Sequence, residues 1–116
     1  MTEYFPDRWV IVKLTYQGQT VYKVFGTWLG GFDEPENWRL NSGIVRAEYK
    51  RGKYLFYGNS GSVYHCHEDN YGTSLYSSSV LKRWNDRANK ADGFIEILPE
   101  DVDPLSLPIG GQRNES

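Results

Sequence analysis

Residues 8–16 read RWVIVKLTY, a run dominated by β-branched, aromatic and long aliphatic side chains and free of glycine and proline. Such a run predicts a strand. Strict alternation places Val10, Val12, Leu14 and Tyr16 on one face, which we assign to the core. Trp9, Ile11, Lys13 and Thr15 fall on the other. Gln17-Gly18-Gln19 then reads as a turn, and residues 20–28, TVYKVFGTW, alternate again to complete a hairpin. Gly26 inside that second strand predicts a bulge or a close approach to the backbone.

Downstream, three short strands are expected at 44–50 (IVRAEYK), 54–57 (YLFY) and 62–67 (SVYHCH). The first directs Val45, Ala47 and Tyr49 inward and Arg46, Glu48 and Lys50 outward. Arg51-Gly52-Lys53 and Gly58-Asn59-Ser60-Gly61 turn the chain between them, and connections this short join antiparallel neighbours. Residues 75–90, LYSSSVLKRWNDRANK, change period. Val80, Leu81, Trp84 and Ala88 make one helical stripe, with Ser77 or Ser78 as the expected N-cap. Asp92-Gly93 stops the helix, and 93–98, GFIEIL, predicts a last strand. The fold class is α+β and mostly β: an antiparallel meander sheet of about six strands with one amphipathic helix in the C-terminal half. Residues 1–98 form a single globular domain. Residues 99–116 form a Pro/Gly-containing tail, whose Leu105, Leu107 and Ile109 could dock on the domain and whose polar end predicts disorder.

Residues 29–43, LGGFDEPENWRLNSG, show no period. Their Phe32, Trp38 and Leu40 need packing partners, so we expect an Ω-like flap folded over the sheet edge.

Composition narrows the function. The chain has 116 residues and a formal net charge of -2, which argues against global attraction to nucleic acid or an anionic membrane. Its single cysteine, Cys66, precludes an intrachain disulfide. No apolar run approaches the ~20 residues that span a bilayer. The first residues, Met1-Thr2-Glu3-Tyr4, lack the basic and apolar parts of a signal peptide. The expected location is cytoplasmic. The aromatic share is 16%, including 4 Trp and 9 Tyr, which suits both a β-rich core and a binding surface.

Four constellations bear on chemistry. His65 and His67 stand at i and i+2 of a strand, share one face, and could hold one zinc ion if Glu68 or Asp69 curled back as a third ligand. The bland alternative is two surface histidines, and Cys66 reads as a small buried hydrophobe. Gly58-Asn59-Ser60-Gly61-Ser62 lacks the second glycine of a nucleophile elbow and reads as a turn. Arg46, Lys50, Arg51 and Lys53 at one hairpin, with Lys82, Arg83 and Arg87 on the helix, would favour an anionic partner if the two sets approached each other. Glu48, Asp86 and Glu96 interleave, as on an ordinary solvated face. Finally, Trp38, Arg39 and Asn41 offer the residue types of a binding hot spot, against the alternative that Trp38 plugs the sheet. Tyr54 and Phe56 share a sheet face on which a flat ligand could stack, or else belong to the core.

The segments Trp38-Arg39-Leu40-Asn41-Ser42-Gly43-Ile44 and Gly58-Asn59-Ser60-Gly61-Ser62-Val63-Tyr64, followed by Asn70-Tyr71-Gly72, resemble small bacteriophage-encoded accessory proteins of uncharacterised type. The resemblance spans roughly residues 20–82 and carries no catalytic residues. It implies a protein working inside the host bacterial cell that neutralises a host protein or sequesters a small signalling molecule. The expectation is therefore a binding protein for a host factor or a small anionic, nucleotide-like ligand, contacted by Trp38, Arg39, Asn41, Arg46, Tyr54 and Phe56. No cofactor and no catalytic residue are expected. A small metal-dependent hydrolase using His65 and His67 is the alternative, followed by a nucleic-acid module, with long nucleic acid disfavoured. Exposed sheet edges would allow a homodimer.

Overall fold

The computed structural model describes residues 2–109. Its strands are β1 (Glu3–Tyr4), β2 (Arg8–Tyr16), β3 (Gln19–Trp28), β4 (Asn37–Leu40), β5 (Ile44–Lys50), β6 (Lys53–Gly58), β7 (Val63–His67) and β8 (Gly93–Ile97). One helix, α1 (Leu75–Lys90), lies between β7 and β8. The chain is thus α+β and mostly strand, as expected, but the single meander is replaced by two four-stranded sheets. One has the order β1-β7-β6-β5 and the other β4-β3-β2-β8. The 44–67 meander survives inside the first sheet, where β1 adds in parallel to β7.

The reason is written in β2. Trp9, Val10, Ile11 and Val12 are all buried, so this strand has no solvent face over its first half. Trp9 and Ile11 pack with Tyr22 and Val24 of β3 against Phe56, Tyr64 and Cys66 of the other sheet. Val10, Val12 and Phe25 point the opposite way, onto Val80 and Leu81 of α1. The molecule is therefore layered sheet, sheet, helix. Assigning only the Val10 face to the core was incomplete. Burying each aliphatic side chain on these faces contributes about 2 kcal/mol.

Local chemistry explains the turns. Gln17 and Gly18 both have positive φ (51° and 78°), as do Arg51 and Gly52 (54° and 81°), so two-residue turns join β2 to β3 and β5 to β6. That backbone matches the right-handed twist of paired strands. Gly26 is not bulged, because it pairs in register with both Trp9 and Arg39. It answers to the close-approach reading instead: a Cβ there would lie 3.0 Å from the Cβ of Pro6. The register shift falls between Ile44 and Arg46. Ile44 is consequently the fully buried residue of β5, while Tyr49, though paired with Tyr54, is exposed at the sheet end.

α1 is capped one turn earlier than expected. Ser74 accepts from the backbone N–H of Ser77 (3.0 Å), and the Ser77 hydroxyl accepts from the Ser74 N–H (2.9 Å). This reciprocal pair is a capping box. Ser74 also donates to Glu36, which ties the 29–36 loop to the helix start.

The predicted flap divides in two. Asn37–Leu40 is an edge strand on β3, and Trp38 stacks on Phe25 (5.7 Å) and meets Trp84 edge-on (4.8 Å). Trp38 and Leu40 thus belong to the helix-side core. Phe32 does not pack; it is fully exposed. In the tail, Val102, Leu107 and Ile109 pack on the sheet–sheet core and Pro104 is buried, whereas Leu105 is exposed. The predicted disordered end, 110–116, lies outside the described residues. Among the described residues no helix is long and apolar enough to cross a membrane.

Candidate functional site

A cleft of about 230 Å³ opens where the two sheets meet the start of the tail. Its floor is Trp9 and Ile11 of β2, one side is Tyr54 of β6 with Glu68 and Asp69 after β7, and the other is Tyr71 with the segment from Leu98 to Pro104.

The cleft exists because a hydroxyl interrupts a β-ladder. β2 and β8 pair in register up to Val12↔Ile97. The next pair is Ile11 with Leu98, and there only the Leu98 N–H to Ile11 C=O bond (2.9 Å) forms directly. In place of its mate, the Ile11 N–H donates to the Tyr71 hydroxyl (3.1 Å), which donates in turn to the Leu98 carbonyl (2.6 Å). Both backbone groups stay satisfied, as buried ones require. The tail after β8 is wedged away from β2 and becomes a wall.

The aromatic floor is held the same way. The Trp9 indole N–H donates to the His67 carbonyl (2.7 Å), and the Gly72 N–H donates to the Trp9 carbonyl (2.8 Å). Trp9 meets Tyr71 at 89° with centroids 4.7 Å apart, and Tyr54 at 58° and 5.8 Å. Trp9 is 2% exposed and supports the floor from beneath, so the rings that border the opening are the half-buried Tyr54 and Tyr71.

The rim is acidic, with Glu68, Asp69 and Glu100. The Tyr49 hydroxyl donates to Glu68 (2.8 Å), and that hydrogen bond to a carboxylate raises the Tyr49 pKa. Burial raises the Tyr54 pKa, helped by the nearby carboxylates of Asp103 and Glu68. Burial also raises that of Tyr71, against the lowering effect of the Ile11 N–H. The cleft therefore disfavours negative charge, including negative charge on its own phenols.

The residues singled out from sequence do not converge. Tyr54 lines this cleft, while its neighbour Phe56 is core beneath it. Asn41 is 3% exposed, and its Oδ1 accepts from the Val24 N–H (2.8 Å), a structural duty. Trp38 sits largely in the helix-side core. Arg39 lies on the surface with its guanidinium 4.6 Å above the Tyr4 ring. Arg46 pairs with Glu48 and covers Tyr57 at 4.1 Å. The two basic sets stand on opposite outer layers, one on the β5–β6 hairpin and one on α1, so no joint anion site forms.

His65 and His67 do share the outer face of β7, but each is already engaged. His65 Nε2 contacts Glu3 Oε1 (2.7 Å), and its ring stacks on Phe5 (4.3 Å), which fastens β1 to β7. His67 Nδ1 accepts from the Asp69 N–H (3.2 Å). No group of three or more His, Cys, Asp or Glu positioned to hold a metal ion is found among the described residues. Cys66 is buried against Trp9 and Phe56, and desolvation raises its thiol pKa well above the usual range, unlike a nucleophile's.

A larger groove, about 740 Å³, runs between the β2–β3 turn and β5. It is lined by small and uncharged residues such as Gly18, Thr20, Ser42 and Gly43, and lacks convergent charge. Trp9, Tyr71 and Glu100 were not singled out from sequence as site residues, and Glu68 was weighed there only as a third metal ligand beside His65 and His67. The only local hints were the odd tryptophan in a hydrophobic strand and the acidic pair after His67. Comparison of the chain with protein-family models, with curated proteins and with solved structures finds no match.

Proposed function

We propose that this is a binding protein whose recognition site is the Trp9–Tyr54–Tyr71 cleft, and that the group it takes is a small cation or a cationic side chain of a partner. The observation that carries this reading is the pair of half-buried rings Tyr54 and Tyr71, the latter with its hydroxyl already engaged, beside a rim of three carboxylates. Rings attract cations through the quadrupole, and the carboxylates reinforce that field at short range. Volume supports the same choice. About 230 Å³ is below the ~300–1,000 Å³ of sites for drug-sized ligands, so a nucleotide is too large to be enclosed here. The anionic ligand suggested by the two basic residue sets and the resemblance would face Glu68, Asp69 and Glu100 here. A host protein remains a fitting partner if it presents lysine or arginine.

The test is a titration followed by NMR on the Trp9 indole N–H. Arginine, lysine and small ammonium salts should shift that resonance in a salt-sensitive way, and adenosine monophosphate should leave it unmoved. Saturable binding of the nucleotide at Trp9, with no response to any cation, would overturn the reading.

A further inference from the structure

We infer that the groove beside the first half of β3 docks a single extended, uncharged peptide segment, paired to β3 through its main chain. The groove shares no lining residue with the Trp9 cleft, so this inference stands apart from the cation reading. It starts from where β4 stops. β4 pairs only with Phe25–Trp28, so the earlier half of β3 borders an open groove of about 740 Å³ instead of a strand. Alternate residues of β3 turn their N–H and C=O away from β2. Val24 shows which set does so: its N–H donates to Asn41 Oδ1 (2.8 Å), and its carbonyl accepts from the Asn41 N–H (2.9 Å). Tyr22, two residues earlier, turns the same way. It is only 8% exposed, yet among the described residues no hydrogen bond reaches its N–H or C=O from the groove side. Buried backbone groups are normally paired, and an open strand edge is a template for another strand.

The walls decide the occupant. β3 forms one side, and Ser42–Val45 with Asn59 forms the other, so whatever lies beside β3 has a wall at its back. The edge strand of a second folded copy would carry its own sheet into that wall, whereas a lone strand fits. No charged residue lines the groove among the described residues. A charged side chain entering it would give up water without gaining a counter-charge. Successive side chains of the segment would point to opposite faces, one toward the buried Tyr22 and Ile44, the next past Val21, which is 37% exposed. Small and β-branched uncharged residues suit both faces. In strand addition of this kind the main chain supplies affinity and the alternate side chains supply selectivity.

Hydrogen exchange on the free chain is the first test. The Tyr22 amide should exchange at least about tenfold faster than that of Val24, which Asn41 holds. Equal protection would show that the chain already pairs Tyr22, and would overturn the inference. The second test pans a random peptide library against the full chain and follows the selected peptides by NMR. Uncharged peptides should protect the Tyr22 amide, leave the Trp9 indole N–H resonance unmoved, and bind equally at low and high salt. N-methylation of the peptide amide that meets the Tyr22 carbonyl should weaken binding about tenfold. A methylated peptide that binds as tightly as its parent, or a selection in which no peptide protects Tyr22, would overturn the inference.

Discussion

Replacing Tyr71 by Phe removes one oxygen and tests how the cleft is built. That hydroxyl stands between the Ile11 N–H (3.1 Å) and the Leu98 carbonyl (2.6 Å), two backbone groups of residues that are 2% and 8% exposed. Each net hydrogen bond contributes about 1 kcal/mol, and an orphaned buried partner costs up to ~3 kcal/mol. The ring still fills its space against Trp9, so no large cavity opens. We expect a loss of about 2 kcal/mol, or a fall of roughly 8 °C in the thermal midpoint for a domain of this size. Urea unfolding gives the free energy, and native-state hydrogen exchange shows where it is lost. The Ile11 amide should lose protection selectively, while Leu98, bonded directly to the Ile11 carbonyl, should keep most of its own. If the Phe variant matches the parent within ~0.5 kcal/mol and Ile11 stays protected, the ladder has closed without the hydroxyl. The wedge would then not hold the cleft open.

Other consequences are equally direct. Asn41→Ala should cost about 2 kcal/mol in urea unfolding, because it orphans the buried Val24 N–H, yet leave cation binding at Trp9 unchanged. Lost binding at full stability would return Asn41 to a recognition surface. Trp38→Ala should destabilise by about 3 kcal/mol, since it removes the partner of Phe25 and Trp84, while Phe32→Ser should stay within ~0.5 kcal/mol. Alkaline pH should unfold the protein. The phenols of Tyr64 and Tyr71 have pKa values raised by burial, so the folded state holds these protons after the unfolded chain has released them. Their stabilisation is complete below about pH 10 and declines above it, by up to ~1.4 kcal/mol per pH unit for each group. Urea midpoints that stay level up to about pH 11, together with early tyrosinate absorbance, would contradict this.

What could be read from the sequence was what short-range chemistry dictates. RWVIVKLTY is a strand in almost any context, Gln17-Gly18 and Arg51-Gly52 accept the positive φ that tight hairpins need, and Val80, Leu81, Trp84 and Ala88 define one helical stripe. The same run, however, reads identically whether one face or both are buried, so the second sheet under Trp9 and Ile11 was not legible. Nor was β4, because four residues, NWRL, are too few to show a period and gain strand conformation only from the open edge of β3. The site lay further still from local signals. Trp9, Tyr54, Glu68, Tyr71 and Glu100 are scattered over most of the chain and share no spacing. The longer strands, the tight turns, the helix and the charge balance were legible without the fold, because these follow from neighbours within a few residues, whereas β1 and β4 were not. Only the tertiary structure decided which aromatic rings became core and which became a cleft. That choice depends on a single hydroxyl satisfying two backbone groups 87 residues apart, at Ile11 and Leu98.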